Sequence, residues 1–228
     1  MTVSRFDCID LLMRYLALFA LFASLLFTGC ETLPLRTKYD QQAHRPKNPD
    51  KVRVKVSLSK QMIYVLEGNR PLLVTAACVG TPANPTPKGN FEVYLKIRNK
   101  RSGSYGFAAK GNQIIGTTRG KVPSGWSYVG YPMPFWVEFA PAYGFHLGWV
   151  HPIPKSHGCI RLHANDASDF FALVKIGTPV NIATTQPEDQ TLGKEHRRPM
   201  DYNDPDPPLT HMISKQYFDN LPPPHLVD

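Results

Sequence analysis

Short runs of alternating apolar residues limit how this chain can fold. In residues 52–58, VRVKVSL, every second side chain is apolar, which is typical of a strand with one buried face. Further apolar runs occupy residues 61–67, 71–80 and 90–99, and turn-forming residues or the proline-rich stretch 81–89 separate them. Strands joined by such short turns pair in antiparallel fashion. We therefore expect a mainly β fold, an antiparallel β-sandwich or open barrel.

The following residues predict more strands and one late helix. Apolar patterns indicate strands over 134–140 and 143–150 and a closing strand over 178–183. Residues 165–177, NDASDFFALVKIG, have an apolar face and end at a glycine, which predicts an α-helix. Residues 100–125 are rich in Gly, Lys and Ser with weak periodicity, so we expect a long loop there, a lid over a site.

The N-terminal residues predict an export signal. Residues 15–28 form an uncharged apolar run, short for a bilayer span and suited to a signal peptide. The run ends in Phe-Thr-Gly-Cys, which resembles the lipobox of bacterial lipoproteins, and the resemblance implies a signal peptide over 1–29 and a lipid on Cys30. A plain signal peptide or an uncleaved anchor is the alternative, and each places the body outside the cytoplasm. Because aspartates precede the apolar run, we hypothesise that translation starts at Met13, which peptide mapping of the unprocessed precursor would test.

Composition divides the remainder into three parts. Residues 30–50 are polar and contain several prolines, which predicts a flexible tether to the folded domain at 51–183. Residues 184–228 contain eight prolines and little apolar periodicity, so we expect a disordered or loosely docked tail. From 30 to 183 there are 20 Lys and Arg against 8 Asp and Glu, whereas the tail has 4 against 8. The basic body suggests a polyanionic partner, and export favours the carboxylate-rich cell wall or anionic lipid over nucleic acid.

One cysteine and four histidines lie within residues 145–163, FHLGWVHPIPKSHGCIRLH. If Cys159 is a nucleophile, it needs a base, oxyanion donors and access for substrate. His146 on the neighbouring strand could be the base, and successive amides at Gly158 and Cys159 could form an anion-binding nest. Structural histidines and a disulfide with Cys78 are alternatives. The side chains that could instead bind zinc are His146, His151, His157, Cys159 and His163, although their spacing matches no common zinc pattern.

The segment SHGCIRL, residues 156–162, resembles the signature of the L,D-transpeptidase catalytic domain family. In that family an upstream histidine precedes Ser/Thr-His-Gly-Cys-x-Arg, and His146 matches that histidine with a short gap. The resemblance extends over residues 51–183 and implies the family's mainly β fold. It assigns these residues: the nucleophile Cys159, the general base and acid His146, the oxyanion-hole residues His157 and Gly158, and the substrate-binding residues Arg161 and Ser156.

Other parts of the site follow from the same resemblance. The family's base is usually oriented by a backbone carbonyl beside it, so no acidic partner is expected for His146. A buried structural ion pair is the alternative role for Arg161. His151 and His163 fall outside the motif and are expected to be bystanders. The resemblance implies no metal and no organic cofactor.

The resemblance also implies an activity. Family members cut the bond between the third and fourth residues of a peptidoglycan tetrapeptide stem, form a thioester with the cysteine and pass the acyl group to an amine. We therefore expect a cell-wall transpeptidase that cross-links stem peptides or attaches a protein to the wall, held on the wall-facing side of a membrane by its lipid. A hydrolase acting through the same thioester, an L,D-carboxypeptidase or endopeptidase, is the first alternative. A wall-binding lipoprotein without activity is the second.

Overall fold

Strands are the main regular secondary structure in residues 41–228, the part of the chain that a computed structural model describes. One five-stranded sheet has the order β4-β3-β2-β11-β5, a second has the order β10-β9-β8-β6-β7, and β1 pairs with β12. The strands are β1 (Ala43–His44), β2 (Val52–Ser57), β3 (Met62–Glu67), β4 (Arg70–Ala76), β5 (Gly89–Glu92), β6 (Leu95–Lys110), β7 (Gln113–Thr118), β8 (Ser127–Ala140), β9 (Tyr143–Leu147), β10 (Ile160–Leu162), β11 (Pro179–Ala183) and β12 (Leu226–Val227). The helices are α1 (Ala164–Leu173) and α2 (Leu209–Ile213).

A single apolar cluster joins the two large sheets. Val54 and Val56 of β2, Phe145 of β9 and Ile160 of β10 are buried in it, and α1 adds Phe170. The alternation in VRVKVS places Val52, Val54 and Val56 on the buried face and leaves Arg53 and Lys55 partly exposed. Burying each large apolar side chain contributes about 1.5–3 kcal/mol, so this cluster holds the sheets together.

The predicted mainly β fold with a late helix is confirmed, but the sheets are not purely antiparallel. In each large sheet one pair is parallel: β11 with β2, and β10 with β9. Parallel neighbours need a long crossover, which α1 and the segments before it provide for β11. The predicted helix begins within one residue of its expected start and ends four residues early, at Leu173.

The prediction of a loop over 100–125 is wrong. These residues form most of a hairpin in which β6 pairs with β7 on one edge and with β8 on the other. Much of β6 is exposed or half-exposed, as is all of β7. Because little of either strand faces the core, the alternating apolar pattern that marks a strand is missing from their sequences.

The end of the predicted tether also belongs to the folded unit. Ala43 is fully buried in the core, and the Gln41 N–H donates to Asp166 Oδ1 at 2.8 Å. The β1 strand pairs with β12, which brings residues 43–44 beside the C-terminus. The tether prediction is therefore wrong for residues 41–50, whose attachment rests mainly on backbone pairing that composition does not show.

Residues 184–228 differ from the expected disordered or loosely docked tail. The buried carboxylate of Asp189 accepts hydrogen bonds from Tyr64 at 2.7 Å and Ser57 at 2.8 Å. Further along, Met212 and Phe218 are buried. The tail attaches largely through individual polar contacts, which proline content and apolar periodicity cannot predict.

The predictions for the N-terminus lie outside the described residues. They are the signal peptide over 1–29, the lipid on Cys30, the start at Met13 and the first part of the tether, and they stay predictions. Between residues 41 and 228, no helix is long and apolar enough to cross a membrane.

The Tyr64–Asp189 hydrogen bond generates a stability prediction. Tyr64→Phe removes the donor and leaves a buried carboxylate oxygen short of a partner, so we expect the free energy of unfolding to fall by about 1–3 kcal/mol. The matched control is Tyr94→Phe, because Tyr94 also donates to a carboxylate but is half-exposed. Its effect should stay within about 0.5 kcal/mol. Equal effects in urea denaturation would show that the tail contact at Asp189 contributes little.

Candidate active site

The predicted nucleophile and base lie on two parallel neighbouring strands. Arg161 of β10 is in register with His146 of β9, and the Gly148 N–H donates to Leu162 O at 2.9 Å beyond the end of β9. Extending this register back by one residue from the pair Ile160 and Phe145 sets Cys159 opposite Gly144. Since side chains alternate along a strand, Cys159, Arg161 and His146 project from the same face of the sheet, away from the core.

His146 is held as a neutral imidazole with one defined tautomer. Its side chain is only 5% exposed, and Nδ1 lies 2.7 Å from the carbonyl oxygen of Leu147. A carbonyl only accepts, so Nδ1 carries the hydrogen and Nε2 keeps its lone pair. Burial lowers the pKa of His146 to about 4, with the charge of Arg161 acting in the same direction and the hydrogen bond to Leu147 opposing both. The imidazole is therefore an acceptor of protons throughout the neutral range.

Cys159 is partly exposed at the start of β10. Its Sγ lies 3.7 Å from Ala142 O, and the Gly144 N–H donates to the sulfur. Burial raises the pKa of the Cys159 thiol, whereas Gly144 and Arg161 lower it and Glu138 raises it. These shifts favour a neutral thiol and a neutral imidazole at neutral pH.

The turn between β8 and β9 is fixed by Glu138. Its Oε1 accepts the Ala142 N–H at 3.0 Å and the Tyr94 hydroxyl at 2.6 Å, and its Oε2 accepts the Trp136 indole N–H at 2.9 Å. Ala142 is held at φ 65°, a conformation that is uncommon outside glycine. These bonds hold the Ala142 carbonyl beside the Cys159 sulfur.

Ser156 and Gly158 shape the loop just before Cys159. Ser156 is buried, and its Oγ donates to Cys159 O at 2.5 Å and accepts the Gly158 N–H at 3.0 Å. Gly158 has φ +108°, and a Cβ there would lie 2.4 Å from Tyr143 Cε1, so only glycine fits. This geometry favours a positioning role for Ser156 over the predicted substrate contact. It also engages the Gly158 amide, one of the predicted oxyanion donors.

Two residues outside the motif hold the loop from the opposite side. Thr86 Oγ1 donates to Gly158 O at 2.8 Å and accepts the Gly80 N–H at 2.9 Å. Gln61 Nε2 donates to Pro152 O at 3.0 Å. Local sequence patterns do not predict the contact of Thr86 with Gly158, because the two residues lie 72 positions apart in the chain.

Arg161 is a cation without an acidic partner among residues 41–228. Its charge reaches His146, Cys159, His151 and Tyr131, since it acts to lower the pKa of each. The aliphatic part of its side chain packs over Gly148, where an added Cβ would lie 3.0 Å from Arg161 Cδ. Among the described residues the structure forms no salt bridge that would support the alternative role of a structural ion pair.

The remaining histidines occupy different surroundings. His157 is exposed and stacks on Tyr105 of β6, with ring centroids 5.0 Å apart, so the β6–β7 hairpin reaches the motif. His151 stacks on Tyr202 of the tail at 5.0 Å. His163 is buried and contacts Asp201 of the tail at 2.7 Å. His151 and His163 both lie outside the motif, and the tail residues that contact them gave no signal in the sequence.

The alternatives of a metal site and a disulfide gain no support from this geometry. Cys78 and Cys159 are both free, and Cys78 is buried where its backbone pairs with Arg161. Within the described part of the chain, no three His, Cys, Asp or Glu side chains come together as a metal site would require.

Comparison with known proteins gives one clear family match. The sequence profile of the L,D-transpeptidase catalytic domain (YkuD) family matches residues 51–182. No curated protein matches the chain.

The solved structures that match the chain have low identity to it. An L,D-transpeptidase (Yku) from Stackebrandtia nassauensis is 20% identical over 64% of this chain and 60% of that one, with a TM-score of 0.44. An L,D-transpeptidase from Mycobacterium smegmatis is 18% identical over 58% of each chain, with a TM-score of 0.45. L,D-transpeptidase 1 from Mycobacterium tuberculosis is 20% identical over 58% of this chain and 61% of that one, with a TM-score of 0.41. The chain thus spans about three fifths of the length of these structures.

The neutral thiol and imidazole generate a pH prediction. The pKa of Cys159 is raised above its usual value, so the thiolate fraction, and with it the rate of alkylation by iodoacetamide, should rise about tenfold per pH unit from about pH 6 to 8. The rate should still be rising at about pH 9. Peptide mass spectrometry separates Cys159 from Cys78, and the denatured chain is the control, with an ordinary thiol pKa of about 8.5. A rate that is constant over this range would instead indicate a preformed thiolate–imidazolium pair.

Proposed function

Because this chain belongs to the L,D-transpeptidase catalytic domain family, we propose that it is a peptidoglycan L,D-transpeptidase with Cys159 as its nucleophile. One observation supports this assignment above the others. Cys159 and His146 share one face of two adjacent parallel strands, and the Leu147 carbonyl leaves the His146 Nε2 lone pair available. An inert wall-binding protein would have no need for this tautomer.

The first half of the proposed reaction is acyl transfer to the enzyme. His146 Nε2 takes the proton from Cys159 as Sγ attacks the carbonyl carbon between the third and fourth residues of a tetrapeptide stem. The carbon–nitrogen bond then breaks, and the imidazolium returns the proton to the departing amine of the fourth residue. A thioester with the tripeptide part of the stem remains on Cys159. The buried imidazole favours this return of the proton because burial disfavours its charged form.

The second half regenerates the thiol. An acceptor amine loses a proton to His146 and attacks the thioester carbonyl, which forms a new amide bond and releases Sγ to take the proton back. Water in place of the amine would give the hydrolase instead. The amine can come from a second stem or from a protein, because the chemistry of the thioester accepts either.

The developing oxyanion needs a donor that is not already engaged. The Gly158 N–H donates to Ser156 Oγ, so we assign the oxyanion to the next amide along the chain, that of Cys159. Ser156 and Thr86 then serve the reaction indirectly by fixing the carbonyl and amide orientations on either side of Gly158.

Arg161 is proposed to bind a carboxylate of the stem peptide. A guanidinium that has no acidic partner within residues 41–228, and whose charge acts on both Cys159 and His146, offers a charge-assisted hydrogen bond to an anionic substrate. The same charge acts to lower the pKa of the thiol, so it also favours the nucleophilic thiolate.

The assignment is tested by incubating the full chain with a purified tetrapeptide-stem muropeptide and identifying the products by mass spectrometry. We expect dimers that lack one terminal alanine. Cys159→Ala should abolish product formation while the urea unfolding midpoint stays within experimental error, because the side chain is partly exposed and anchors no core contact. Tripeptide monomers alone would establish the hydrolase, and turnover by Cys159→Ala would overturn the mechanism.

The proposed role of Arg161 predicts a binding defect. Arg161→Gln removes one charge-assisted hydrogen bond, worth about 1.5–3 kcal/mol, so KM should rise by roughly tenfold to a hundredfold with a smaller change in kcat. Arg53→Gln, on a strand of the other sheet, is the matched control and should leave KM unchanged. An unchanged KM with a lowered free energy of unfolding would assign Arg161 a structural role.

A further inference from the structure

A carboxylate from the C-terminal tail lies against both segments that carry the proposed catalytic residues. Asp201 is only 6% exposed, and its Oδ1 accepts the Val150 N–H at 2.7 Å. Its Oδ2 lies 2.7 Å from His163 Nδ1. Val150 follows His146 by four residues, and His163 follows Cys159 by four residues. One side chain thus ties together the chain just beyond the ends of β9 and β10.

The contacts of His163 define its protonation state. The ring is 2% exposed, and while Nδ1 faces the Asp201 carboxylate, Nε2 lies 3.0 Å from the carbonyl oxygen of Pro199. Both partners are acceptors, so both contacts are hydrogen bonds only when each ring nitrogen carries a hydrogen. A neutral ring would set a lone pair against an oxygen at one of the two positions.

The charged groups around His163 favour this doubly protonated ring. Among the described residues, the charged groups that act on it are Asp201 of the tail and Asp166 of α1. Burial by itself would lower the pKa of His163, but the hydrogen bond and charge of Asp201, together with Asp166 and the Pro199 carbonyl, raise it above its usual value.

Neighbouring tail residues follow the same loop. Arg198 donates to His151 O at 2.7 Å and to Ala77 O at 2.9 Å, and Asp206 accepts the Trp149 indole N–H at 2.7 Å. The tail therefore covers residues 149–151 from outside. The family match ends at residue 182, so these contacts are additions to the catalytic domain.

We propose that Asp201 and His163 form a pH-dependent latch through which the C-terminal tail keeps Cys159 and His146 in register. Both are positioning residues, because neither touches the reacting atoms. The latch itself does not depend on the proposed function. Only the tests that measure turnover rest on that function.

The sign of the pH dependence follows from the two states of His163. Its pKa in the folded protein is raised above the unfolded value of about 6.5, so the latch is complete below that pH. As pH rises through the folded pKa, one hydrogen bond is lost and the tail contact weakens. The stabilisation is therefore fully present below the unfolded pKa and declines as pH rises through the raised folded pKa.

Asp201→Asn should reverse this dependence. The amide oxygen of the substituted side chain can still accept the Val150 N–H, and its amide nitrogen can donate to the Nδ1 lone pair of a neutral His163 whose Nε2–H bonds to Pro199. The latch in this variant is complete at high pH and broken at low pH. The ratio of kcat in the variant to kcat in the parent should rise about tenfold from about pH 6 to 9 and exceed one at the upper end. Ratios cancel the ionisation of Cys159, which both proteins share.

Two further variants separate the latch from a general effect of charge. Asp201→Ala removes both hydrogen bonds. The ratio of its kcat to that of the parent should therefore rise towards one with pH but never exceed one. Asp219→Asn removes the same charge from an exposed tail position, and its ratio should stay near one at every pH. Equal, pH-independent ratios for the two Asp201 variants would overturn the latch.

A readout without substrate keeps the latch distinct from the proposed activity. In the parent, hydrogen exchange of the Val150 amide should accelerate with pH by more than the intrinsic exchange rate does. In Asp201→Asn, the Val150 exchange rate relative to the intrinsic rate should fall with pH. The ratio of Cys159 alkylation rates for the two proteins should shift over the same pH range. If these shifts occur but no muropeptide product forms, the latch is retained and the transpeptidase is rejected. If products form without the shifts, the transpeptidase is retained and the latch is rejected.

Discussion

The parallel pairing of β9 with β10 is the constraint on which the site depends. Parallel neighbours cannot be joined by a tight turn, so the chain must leave β9, cross over and return in the same direction. The crossover is residues 148–159, and its last residue is Cys159. The register that sets Arg161 beside His146 therefore also fixes how far the sulfur lies from the imidazole. A slip of one residue would turn Cys159 into the core and bring Ile160 to its place.

This crossover belongs to no strand, and beside the backbone bridge between Ser156 and Gly80 it is held by side chains from other segments. Thr86 holds Gly158, Gln61 holds Pro152, and Asp201 holds Val150, each through a hydrogen bond to the backbone. Buried backbone groups need such partners, and side chains from distant segments supply them here. These hydrogen bonds fix the chain before Cys159, and burial favours the neutral forms of the Cys159 thiol and the His146 imidazole.

Local patterns in the sequence account for the core and the motif but not for their surroundings. The segment VRVKVSL predicts β2 because its alternate valines are buried. The segment Ser-His-Gly-Cys predicts the candidate site because sterics at Gly158 and the chemistry of the cysteine both restrict which residues can stand there. The sequence does not predict the β6–β7 hairpin, because both faces are largely exposed and carry no apolar alternation. The sequence does not predict the docking of the tail, because its anchors are the single carboxylates Asp189 and Asp201, whose partners lie far away in the chain.

The acidic tail and the basic body have opposite charges, but the contacts between them are specific and partly desolvated rather than a loose attraction. Glu188 pairs with Lys55 at 2.7 Å, and the carboxylates of Asp189 and Asp201 are buried against hydroxyl, amide and imidazole donors. Salt screens diffuse attraction within about 10 Å at roughly 0.1 M, whereas buried pairs are screened much less. Removing one partner of a buried pair leaves an uncompensated charge, at a cost of about 3–5 kcal/mol. The folded unit is therefore larger than residues 51–182, because cutting the chain there would remove Asp201 from His163 and Asp189 from Tyr64.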